Sequence, residues 1–421
     1  MRQRASSLRT PEQRLEEAVG LAQALDLDVR ETILAQVRSV VPATLFGKGK
    51  VQELAAVCAA RDADVLVVDD ALTPVQQRNL ETALKVKVID RTGLILEIFA
   101  RRARTREGRL QVELARLAYE RSRLVRTWTH LERQRGGFGV MGGPGETQIE
   151  TDRRLLAERI GKLKRDLTEV RRTRGLQRSA RKKVPFPTLA LVGYTNAGKS
   201  TLFNRLTRAE VDARDMLFAT LDPTLRAVKL PNGRPAILSD TVGFISDLPH
   251  ELVEAFRATL EEVREADVIL HVRDISAAET DAQAADVAKV LEEIDVGPES
   301  GRCVIEVWNK IDLLPQDERD TLLERAGRGR APMIAVSAVT GEGCDHLLDF
   351  VTGLIDRGAP LQAHLAAEQG EAAAWLYRHG RILSRTPDAD GGMVLSVRLD
   401  AQALGQFESL FPDTLLDEAA E

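Results

Sequence analysis

Hydrophobic positions recur with two different periods along the first part of the chain, and the period changes near Thr105. Before that residue, helical spacing alternates with short apolar runs of the kind that form buried strands. The predicted helices are Arg14–Leu25 and Val51–Ala60, and strands are predicted at Asp64–Asp70, at Val86–Asp90 and within Val29–Val41. This alternation predicts a small parallel α/β domain over residues 1–104.

Residues 105–183 carry apolar positions at heptad spacing instead, in two stretches that flank a glycine-rich segment. The seam positions are Leu110, Leu114, Leu117, Leu124, Trp128 and Leu131 before the glycines, with Arg121 interrupting, and Leu156, Ile160, Leu163, Leu167 and Val170 after them. Thr147 and Glu150 match a capping box, which predicts that the second helix begins there. Two seams joined by one loop, at 135–146, predict an antiparallel helical hairpin about 45 Å long.

From residue 184 to residue 357 the pattern returns to alternating strands and helices, which predicts a doubly wound, mostly parallel sheet. The last stretch, 358–421, differs because its apolar residues alternate on both sides of a turn sequence. "AWLYRHGRILS" (Ala374–Ser384) and "MVLSVRLD" (Met393–Asp400) flank "DADGG" (Asp388–Gly392). These residues predict a β-hairpin within a small C-terminal α+β domain. The whole chain is therefore predicted to be an α/β protein of four parts.

Charge is distributed unevenly along the 421 residues, although the net charge is only −5. Arg101–Lys183 holds 24 Lys/Arg and 10 Asp/Glu, which leaves 35 basic and 54 acidic residues for the rest of the chain. A basic segment on an acidic chain is typical of a nucleic-acid contact. The alternative is an ordinary arginine-rich helical surface.

Several classes of protein do not fit the composition. No apolar run approaches the ~20 residues of a membrane-spanning helix, and the charged start is not followed by the apolar region of a signal peptide. The three cysteines, Cys58, Cys303 and Cys344, lie far apart in the chain. That spacing argues against a disulfide framework and against a zinc site, so we expect a cytoplasmic protein.

A phosphate-binding loop is predicted by "LALVGYTNAGKS" (Leu189–Ser200), in which an apolar strand runs into G-x-x-x-x-G-K-S and then a helix. The glycines allow the backbone amides of Asn196–Ser200 to surround phosphate oxygens. Lys199 is expected to neutralise the β- and γ-phosphates, and Ser200 to ligate Mg²⁺. Further along, "AILSDTVG" (Ala236–Gly243) ends a strand with an aspartate suited to hold Mg²⁺ through water and a glycine whose amide approaches the γ-phosphate.

The identity of the base follows from "CVIEVWNKID" (Cys303–Asp312). A carboxylate at Asp312 accepts two hydrogen bonds from the N1–H and N2–H₂ edge of guanine, an edge that adenine lacks. Asn309 can contact the base, and the Lys310 stem can lie on its face. "IAVSA" (Ile334–Ala338) supplies the last loop at the base. Four such pieces in this order predict a guanine-nucleotide site.

A switch loop is predicted in "MLFATLDPTLR" (Met216–Arg226), between the phosphate loop and Asp240. Thr220 and Thr224 are both candidates for closing over Mg²⁺ and the γ-phosphate, and spacing does not choose between them. Phe244 follows Gly243 at a position where many signalling GTPases have a glutamine that orients the attacking water. Because an aromatic ring cannot orient water, we expect slow GTP hydrolysis that a partner accelerates.

The glycine-rich "RGGFGVMGGPGETQIETD" (Arg135–Asp152) is not a second phosphate loop, because it lacks G-K-[ST] and follows a helix. One interpretation is a flexible connector between the helices. The other is a backbone-rich tip that approaches RNA closely, with apolar side chains available to pack on bases. The candidate RNA-binding residues of that tip are Arg135, Gly136, Gly137, Phe138, Gly139, Val140, Met141, Gly142 and Gly143.

These segments together resemble the HflX family of ribosome-associated GTPases, in the Obg–HflX group of P-loop GTPases. The segments that carry the resemblance are "GKGK", "VIDRTGLILEIFARRARTREGRLQVELARL", "RGGFGVMGGPGETQIETDRR", "GYTNAGKSTLFN", "FATLDPT" and "DTVGFI". The resemblance implies binding to the large ribosomal subunit in the GTP form, ribosome splitting in some members, and a tip that reaches ribosomal RNA near the peptidyl transferase centre. It also implies that the switch threonine is Thr220. The family often has a strand before the first helix, so we expect a trimmed N-terminal domain here.

Motifs and resemblance together predict the site. The residues predicted to contact GTP are Gly193, Tyr194, Thr195, Asn196, Ala197, Gly198, Lys199, Ser200, Thr201, Phe218, Ala219, Thr220, Leu221, Asp222, Asp240, Thr241, Val242, Gly243, Asn309, Lys310, Asp312, Ser337 and Ala338. The predicted catalytic residues are Lys199, Thr220 and Gly243, and the predicted Mg²⁺ site is Ser200, Thr220 and, through water, Asp240.

The leading hypothesis is a monomeric GTPase that uses GTP to control binding to the large ribosomal subunit. A second hypothesis is a GTPase of ribosome assembly or RNA modification, whose hairpin binds a different RNA. A third is an RNA-binding adapter for which GTP is a structural ligand. All three require a basic hairpin, so charge alone does not separate them.

Asp312→Asn tests the predicted base contact. The amide accepts only one of the two hydrogen bonds, so the preference for guanine should shift toward xanthine. Competition binding of GTP and XTP measures the shift. An unchanged GTP affinity contradicts the assignment of Asp312.

Overall fold

The computed structural model describes residues 9–134, 144–181, 186–209, 217–247, 260–296, 302–328, 333–355, 360–388, 391–399 and 401–418. Within these ranges the chain forms the predicted α/β architecture of four parts, each with its own packed interior.

The N-terminal part contains two parallel strands and the helices that cover them. Its elements are α1 (Pro11–Gln23), α2 (Lys48–Ala60), β1 (Val65–Val68), α3 (Pro74–Leu84), β2 (Lys87–Asp90) and α4 (Arg91–Arg102). Capping boxes at Thr10 and Thr73, each followed by a proline, start α1 and α3. The predicted parallel pairing is confirmed, with Val65 opposite Lys87 and Val68 opposite Asp90.

The strand predicted within Val29–Val41 is wrong. This fully described segment contains only an isolated bridge, from Val41 to Leu45. Ile33, Ala35 and Val37 nevertheless pack against the core at alternate positions. The alternation therefore reports which side chains face inward, whereas a strand also requires a neighbouring strand for its backbone hydrogen bonds.

The hairpin consists of α5 (Arg106–Gln134) and α6 (Pro144–Arg181). Its seam buries Leu117, Ile160 and Leu163, and Arg159 forms an ion pair of 2.6 Å with Glu113 across the two helices. Helix α6 begins at Pro144, three residues before the predicted start. Proline is tolerated there because the N–H groups of a first helical turn have no partners within the helix, so the missing N–H of proline costs nothing. The predicted seam positions Leu124, Trp128 and Leu131 lie on a stretch of α5 whose side chains are outside the described part of the structure.

The third part is built on a six-stranded sheet in the order β4-β5-β3-β6-β7-β8. Its elements are β3 (Thr188–Gly193), α7 (Lys199–Thr207), β4 (Thr224–Lys229), β5 (Pro235–Asp240), α8 (Glu261–Glu265), β6 (Val268–Asp274), α9 (Thr280–Glu293), β7 (Cys303–Asn309), a 3-10 helix (Ile311–Leu313), α10 (Gln316–Arg328), β8 (Met333–Ala335) and α11 (Cys344–Ile355). Only β4 runs antiparallel to its neighbour. The carboxyl ends of β3, β5, β6 and β7 therefore meet at one edge, where α/β sheets bind ligands.

The C-terminal part has an antiparallel sheet in the order β10-β11-β9-β12, covered by two helices. Its elements are β9 (Pro360–Leu365), α12 (Gly370–His379), β10 (Arg381–Pro387), β11 (Met393–Arg398), α13 (Ala401–Leu410) and β12 (Leu415–Glu418). The predicted β-hairpin is confirmed, but its first strand begins at Arg381, because residues up to His379 belong to α12. Ala372, Ala373, Trp375 and Leu376 are buried at helical spacing, which explains the difference.

The largest apolar cluster joins three of the four parts. Ile95 and Phe99 of α4 and Val112 of α5 are buried together with Phe218 and Phe244 of the loops that follow the phosphate-binding region. The loops at the carboxyl edge of the sheet are therefore packed directly against the N-terminal part and the base of the hairpin.

Leu163→Ala should loosen the hairpin, whereas Leu155→Ala should not. Leu163 is 7% exposed in the seam, and truncation of a buried leucine costs about 2–5 kcal/mol. Leu155 lies on the same helix but is 54% exposed, where a substitution costs within about 0.5 kcal/mol. Hydrogen exchange of the α5 and α6 amides measures the local opening free energy. Equal effects of the two substitutions would contradict the assigned seam.

Candidate nucleotide-binding site

Two glycines shape the phosphate-binding loop between β3 and α7, because neighbouring atoms leave no room for a side chain. Gly193 has φ +153°, and a Cβ there would lie 2.2 Å from the carbonyl oxygen of Val272 in β6. Gly198 has φ +91°, and its Cβ would lie 2.2 Å from Nδ2 of Asn309. Any side chain at these positions would separate the loop from β6 and β7.

Lys199 begins α7 and is buried beneath the loop. Its Nζ donates to the carbonyl oxygens of Gly193, at 3.1 Å, and of Tyr194, at 2.7 Å. Burial lowers the pKa of Lys199 to about 8, and the nearby carboxylate of Asp240 only partly opposes this. The Lys199 ammonium is therefore poorly solvated in this position, and a bound phosphate group would compensate for the lost solvation.

Three oxygen-bearing side chains converge beside Lys199. The hydroxyl of Ser200 donates to Oδ2 of Asp240 at 2.7 Å, and the hydroxyl of Thr220 donates to the same oxygen at 2.9 Å. The two hydroxyl oxygens are 2.8 Å apart. Thr224, the other switch candidate, lies instead on β4, opposite Asp240 in the ladder.

The Asp240 carboxylate is fully buried, and burial raises its pKa despite the hydrogen bonds from Ser200 and the charge of Lys199. Its other oxygen, Oδ1, is buried without a hydrogen-bond partner among the described residues. An all-oxygen donor set with a desolvated carboxylate fits Mg²⁺, a hard cation that prefers oxygen ligands. No group of three or more His, Cys, Asp or Glu side chains suited to a metal occurs among the described residues.

A pocket opens in front of these groups. It is lined by Thr195, Asn196, Gly198, Lys199, Ser200, Thr201, Phe218, Ala219, Thr220, Thr241 and Gly243. The Phe218 amide donates to Oγ1 of Thr195 at 2.9 Å, which ties the switch loop to the phosphate-binding loop. Gly243 approaches closely from the other side, since a Cβ there would lie 2.8 Å from Cα of Thr195.

The side chains of five residues predicted to contact the nucleotide are engaged elsewhere. Leu221 and Val242 are buried in the apolar cluster with the N-terminal part, and Ala197 is buried on the sheet side of the loop. The Tyr194 hydroxyl bonds to Glu17 of α1, and it accepts from the Ser246 amide at 2.8 Å. The side chain of Asp222 accepts hydrogen bonds at the start of α5, from the amides of Arg104 and Thr105. A motif does not show which way each side chain points, because a loop has two faces. The contact of these five residues with the nucleotide stays a prediction.

The loops predicted to hold the base meet through Asn309. Its Nδ2 donates to the carbonyl oxygen of Ala197 at 2.9 Å, and its Oδ1 accepts from the amide of Ala338 at 3.0 Å. Asn309 is 1% exposed, so in the structure it links the phosphate loop to the Ser337–Ala338 loop. Its contact with the base stays a prediction.

The remaining base-loop residues lie around this link. Lys310 has φ +69°, and its Nζ forms a 2.7 Å ion pair with Asp274 at the end of β6. Asp312 is exposed on the 3-10 helix, with its carboxylate accessible to a ligand. Oγ of Ser337 accepts from the Thr340 amide at 3.1 Å. Asp274 was not among the predicted site residues, although its position directly after an apolar strand could have indicated it.

A buried ionic cluster behind the site was also missed. Arg91 at the start of α4 bonds to Glu17, to Asp69 at 2.6 Å and to the Ser246 hydroxyl at 2.9 Å. Burial opposes ionisation of Glu17, but the charge of Arg91 and hydrogen bonds from Tyr194 and Ser246 lower its pKa overall. The cluster joins the N-terminal part to both the phosphate loop and the loop after Gly243. Its signal in the sequence was Arg91, which stands between the apolar residues Val88–Ile89 and Leu94–Leu96.

The glycine-rich tip Arg135–Gly143, predicted to bind RNA, lies outside the described residues. Among the helices that are described, none is both long and apolar enough to cross a membrane.

The fold and the site together define a P-loop GTPase: a mostly parallel sheet, a G-x-x-x-x-G-K-S loop at its carboxyl edge, and a serine, threonine and aspartate that converge beside the loop lysine. Protein-family models match consecutive parts of the chain. They are described as GTP-binding GTPase N-terminal over 12–100, GTP-binding GTPase Middle Region over 102–181, 50S ribosome-binding GTPase over 188–310 and HflX C-terminal domain over 321–410.

Curated relatives agree with these matches. GTPase HflX of Magnetococcus marinus is 58% identical, over 82% of this chain and 78% of its own length. GTPase HflX of Escherichia coli is 44% identical, over 91% of this chain and 89% of its own length. The chain belongs to the HflX family of GTPases.

Among solved structures, a GTP-binding protein of Sulfolobus solfataricus in complex with GDP is 27% identical. The match covers 82% of this chain and 96% of the Sulfolobus chain, with a TM-score of 0.45.

The affinity for GTP should fall as pH rises through the pKa of Lys199. Since that pKa is lowered to about 8, Lys199 loses its proton between pH 7 and 8.5 in the free protein, whereas phosphate oxygens favour the charged form. The expected loss is about fourfold over this interval. Titration with a fluorescent GTP analogue measures it, with circular dichroism at each pH as the control for folding. An affinity that does not change over this interval would refute the assigned contact.

Proposed function

We propose that this GTPase binds GTP together with Mg²⁺ at the site around Lys199, and that the bound nucleotide controls association with the large ribosomal subunit. The proposed outcome is the splitting or rescue of stalled and idle ribosomes in the cytoplasm. The observation that carries the proposal is the position of Thr220, whose hydroxyl lies within 2.9 Å of both Ser200 and Asp240. A switch residue held there responds directly to what the site contains.

The residues of the chain divide the binding task. The amides of Asn196–Ser200 face phosphate oxygens, and Lys199 neutralises their charge. Ser200 and Thr220, with Asp240 acting through water, would hold Mg²⁺, which would neutralise part of the phosphate charge. The Asp312 carboxylate accepts from the guanine edge, and Asn309 keeps the phosphate and base loops in register.

The residue after Gly243 argues for slow hydrolysis by the protein alone. Phe244 is 2% exposed and packs in the apolar cluster that includes Ile95 and Ile98 of α4. It offers no hydrogen-bonding group to orient an attacking water. We therefore infer that the ribosome accelerates hydrolysis by ordering the loops on either side of the pocket.

We infer that the hairpin contacts ribosomal RNA. It is strongly basic, and its two helices, of 29 and 38 residues, flank the glycine-rich segment in the sequence. Phosphate contacts by Lys and Arg supply affinity, while exposed backbone and apolar side chains suit unstacked bases. Binding of the tip to RNA then depends on the orientation that the GTPase part gives to the hairpin.

Co-sedimentation with purified large subunits tests the proposal. The full-length protein should pellet with subunits in the presence of a non-hydrolysable GTP analogue and much less with GDP. Lys199→Ala, which removes the phosphate contact, should abolish the difference. Deletion of Gly136–Gly145 should leave GTP affinity intact but weaken sedimentation and the stimulation of GTP hydrolysis.

Two results would contradict the proposal. Sedimentation that does not depend on nucleotide favours an RNA-binding adapter, and no sedimentation favours a GTPase that acts on another RNA. GTP hydrolysis that is fast without subunits and unchanged by them would contradict the inferred role of Phe244.

A further inference from the structure

We propose that Asp222 is a positioning residue that couples the nucleotide site to the hairpin, by holding Thr105, the N-cap residue of α5, only when Thr220 is held at the phosphate side. The proposal rests on the GTP-dependent switch proposed above and names the mechanical link by which it acts. The link runs through the switch segment, defined here as Leu217–Asp222.

The cap consists of three hydrogen bonds to one carboxylate. Oδ2 of Asp222 accepts from the amides of Arg104, at 2.8 Å, and Thr105, at 2.9 Å. Oδ1 accepts from the hydroxyl of Thr105 at 2.5 Å. Thr105 in turn accepts from the amide of Gly108 at 2.9 Å. Thr105 therefore pairs one of the free N–H groups in the first turn of α5, and Asp222 holds Thr105 in place. The negative charge of Asp222 also lies at the helix end that carries a partial positive charge.

The same segment is held at the nucleotide side only two residues earlier. Thr220 contacts Ser200 and Asp240, and Leu221 between the two ends is 2% exposed. Two residues span at most about 7 Å, so a shift of Thr220 away from the site is transmitted to Asp222. The carboxylate cannot stay on α5 when the segment that carries it moves by more than a hydrogen-bond length.

Phe218 fixes the other end of the switch segment. It is 1% exposed and meets Phe99 of α4 edge to face, with ring centroids 4.7 Å apart. Helix α4 leads into α5 through residues 103–105. Phe218 contacts α4 and Asp222 contacts Thr105, so the switch segment packs on both sides of this junction. Movement of the segment therefore acts on the direction in which the hairpin leaves the N-terminal part.

Gly108 shows that the approach of Asp222 to α5 is close. A Cβ at Gly108 would lie 2.2 Å from Oδ1 of Asp222, and Gly108 itself is buried. Glycine inside a helix is unfavourable relative to alanine, so its presence here is explained by the space that the carboxylate needs. Gly108→Ala therefore favours the helix itself while it displaces the cap.

The test measures hairpin orientation in the full-length protein without ribosomes. Nitroxide labels are attached at Glu169→Cys in α6 and Glu292→Cys in α9, both exposed positions, with Cys58, Cys303 and Cys344 replaced by alanine. Pulsed dipolar spectroscopy then gives the distance distribution with GDP and with a non-hydrolysable GTP analogue. Gly161→Ala in α6 is the matched control, since its Cβ would have only Arg165 nearby, at 3.9 Å.

The expected result is a nucleotide-dependent shift in the wild type and in Gly161→Ala, and loss of most of that shift in Gly108→Ala. The distribution of Gly108→Ala with the GTP analogue should resemble that of the wild type with GDP. Asp222→Ala removes the cap without adding bulk and should give the same loss, which guards against misfolding of one variant. Binding of the fluorescent analogue is measured in parallel, so that failure of nucleotide binding is distinguished from failure of coupling.

Three outcomes would overturn the proposal. They are a full shift in Gly108→Ala that still binds the analogue, no shift in the wild type, and an equal loss in Gly161→Ala. None of these outcomes depends on whether the ribosome is the partner.

Discussion

The architecture depends on one short piece of backbone, Leu217–Asp222, which belongs at once to the nucleotide pocket and to the interior that joins three parts of the chain. Thr220 meets Ser200 and Asp240 on one side, while Phe218 and Asp222 meet α4 and α5 on the other. Packed interiors have discrete arrangements and deform little, so a segment shared in this way cannot change on one side alone. This shared segment is the basis of our proposal that the presence of the γ-phosphate changes the packing at the start of the hairpin.

A buried ionic cluster reinforces this junction from behind. Arg91 and Glu17 connect the N-terminal part to Tyr194 of the phosphate loop and to Ser246 after Gly243. Buried charges are costly unless each is paired, so separating the two parts would leave several of them uncompensated. The N-terminal part thus contacts both loops that flank the pocket.

Most helices and strands, and the residues around Lys199, could be predicted from the sequence, because each depends on a local pattern of residues. The phosphate loop is a contiguous motif, and the carboxyl ends of parallel strands place Asp240 and Asn309 beside it. The strand within Val29–Val41 failed because alternation does not reveal whether a pairing partner exists. The bonds of the Tyr194 and Asp222 side chains to Glu17 and Thr105 were not predicted, because a motif does not show which way each side chain points. The contact of Asp222 with Thr105 joins residues 117 positions apart, which no local pattern encodes.

Hydrogen exchange at the start of α5 tests the shared segment most directly. The amides of Arg104 and Thr105 donate to Asp222, so their exchange rate reports whether the cap is formed. In the full-length protein they should exchange more slowly with a non-hydrolysable GTP analogue than with GDP, while amides in the centre of the β9–β11 sheet remain unchanged. Equal exchange of Arg104 and Thr105 in the two nucleotide states would contradict the account.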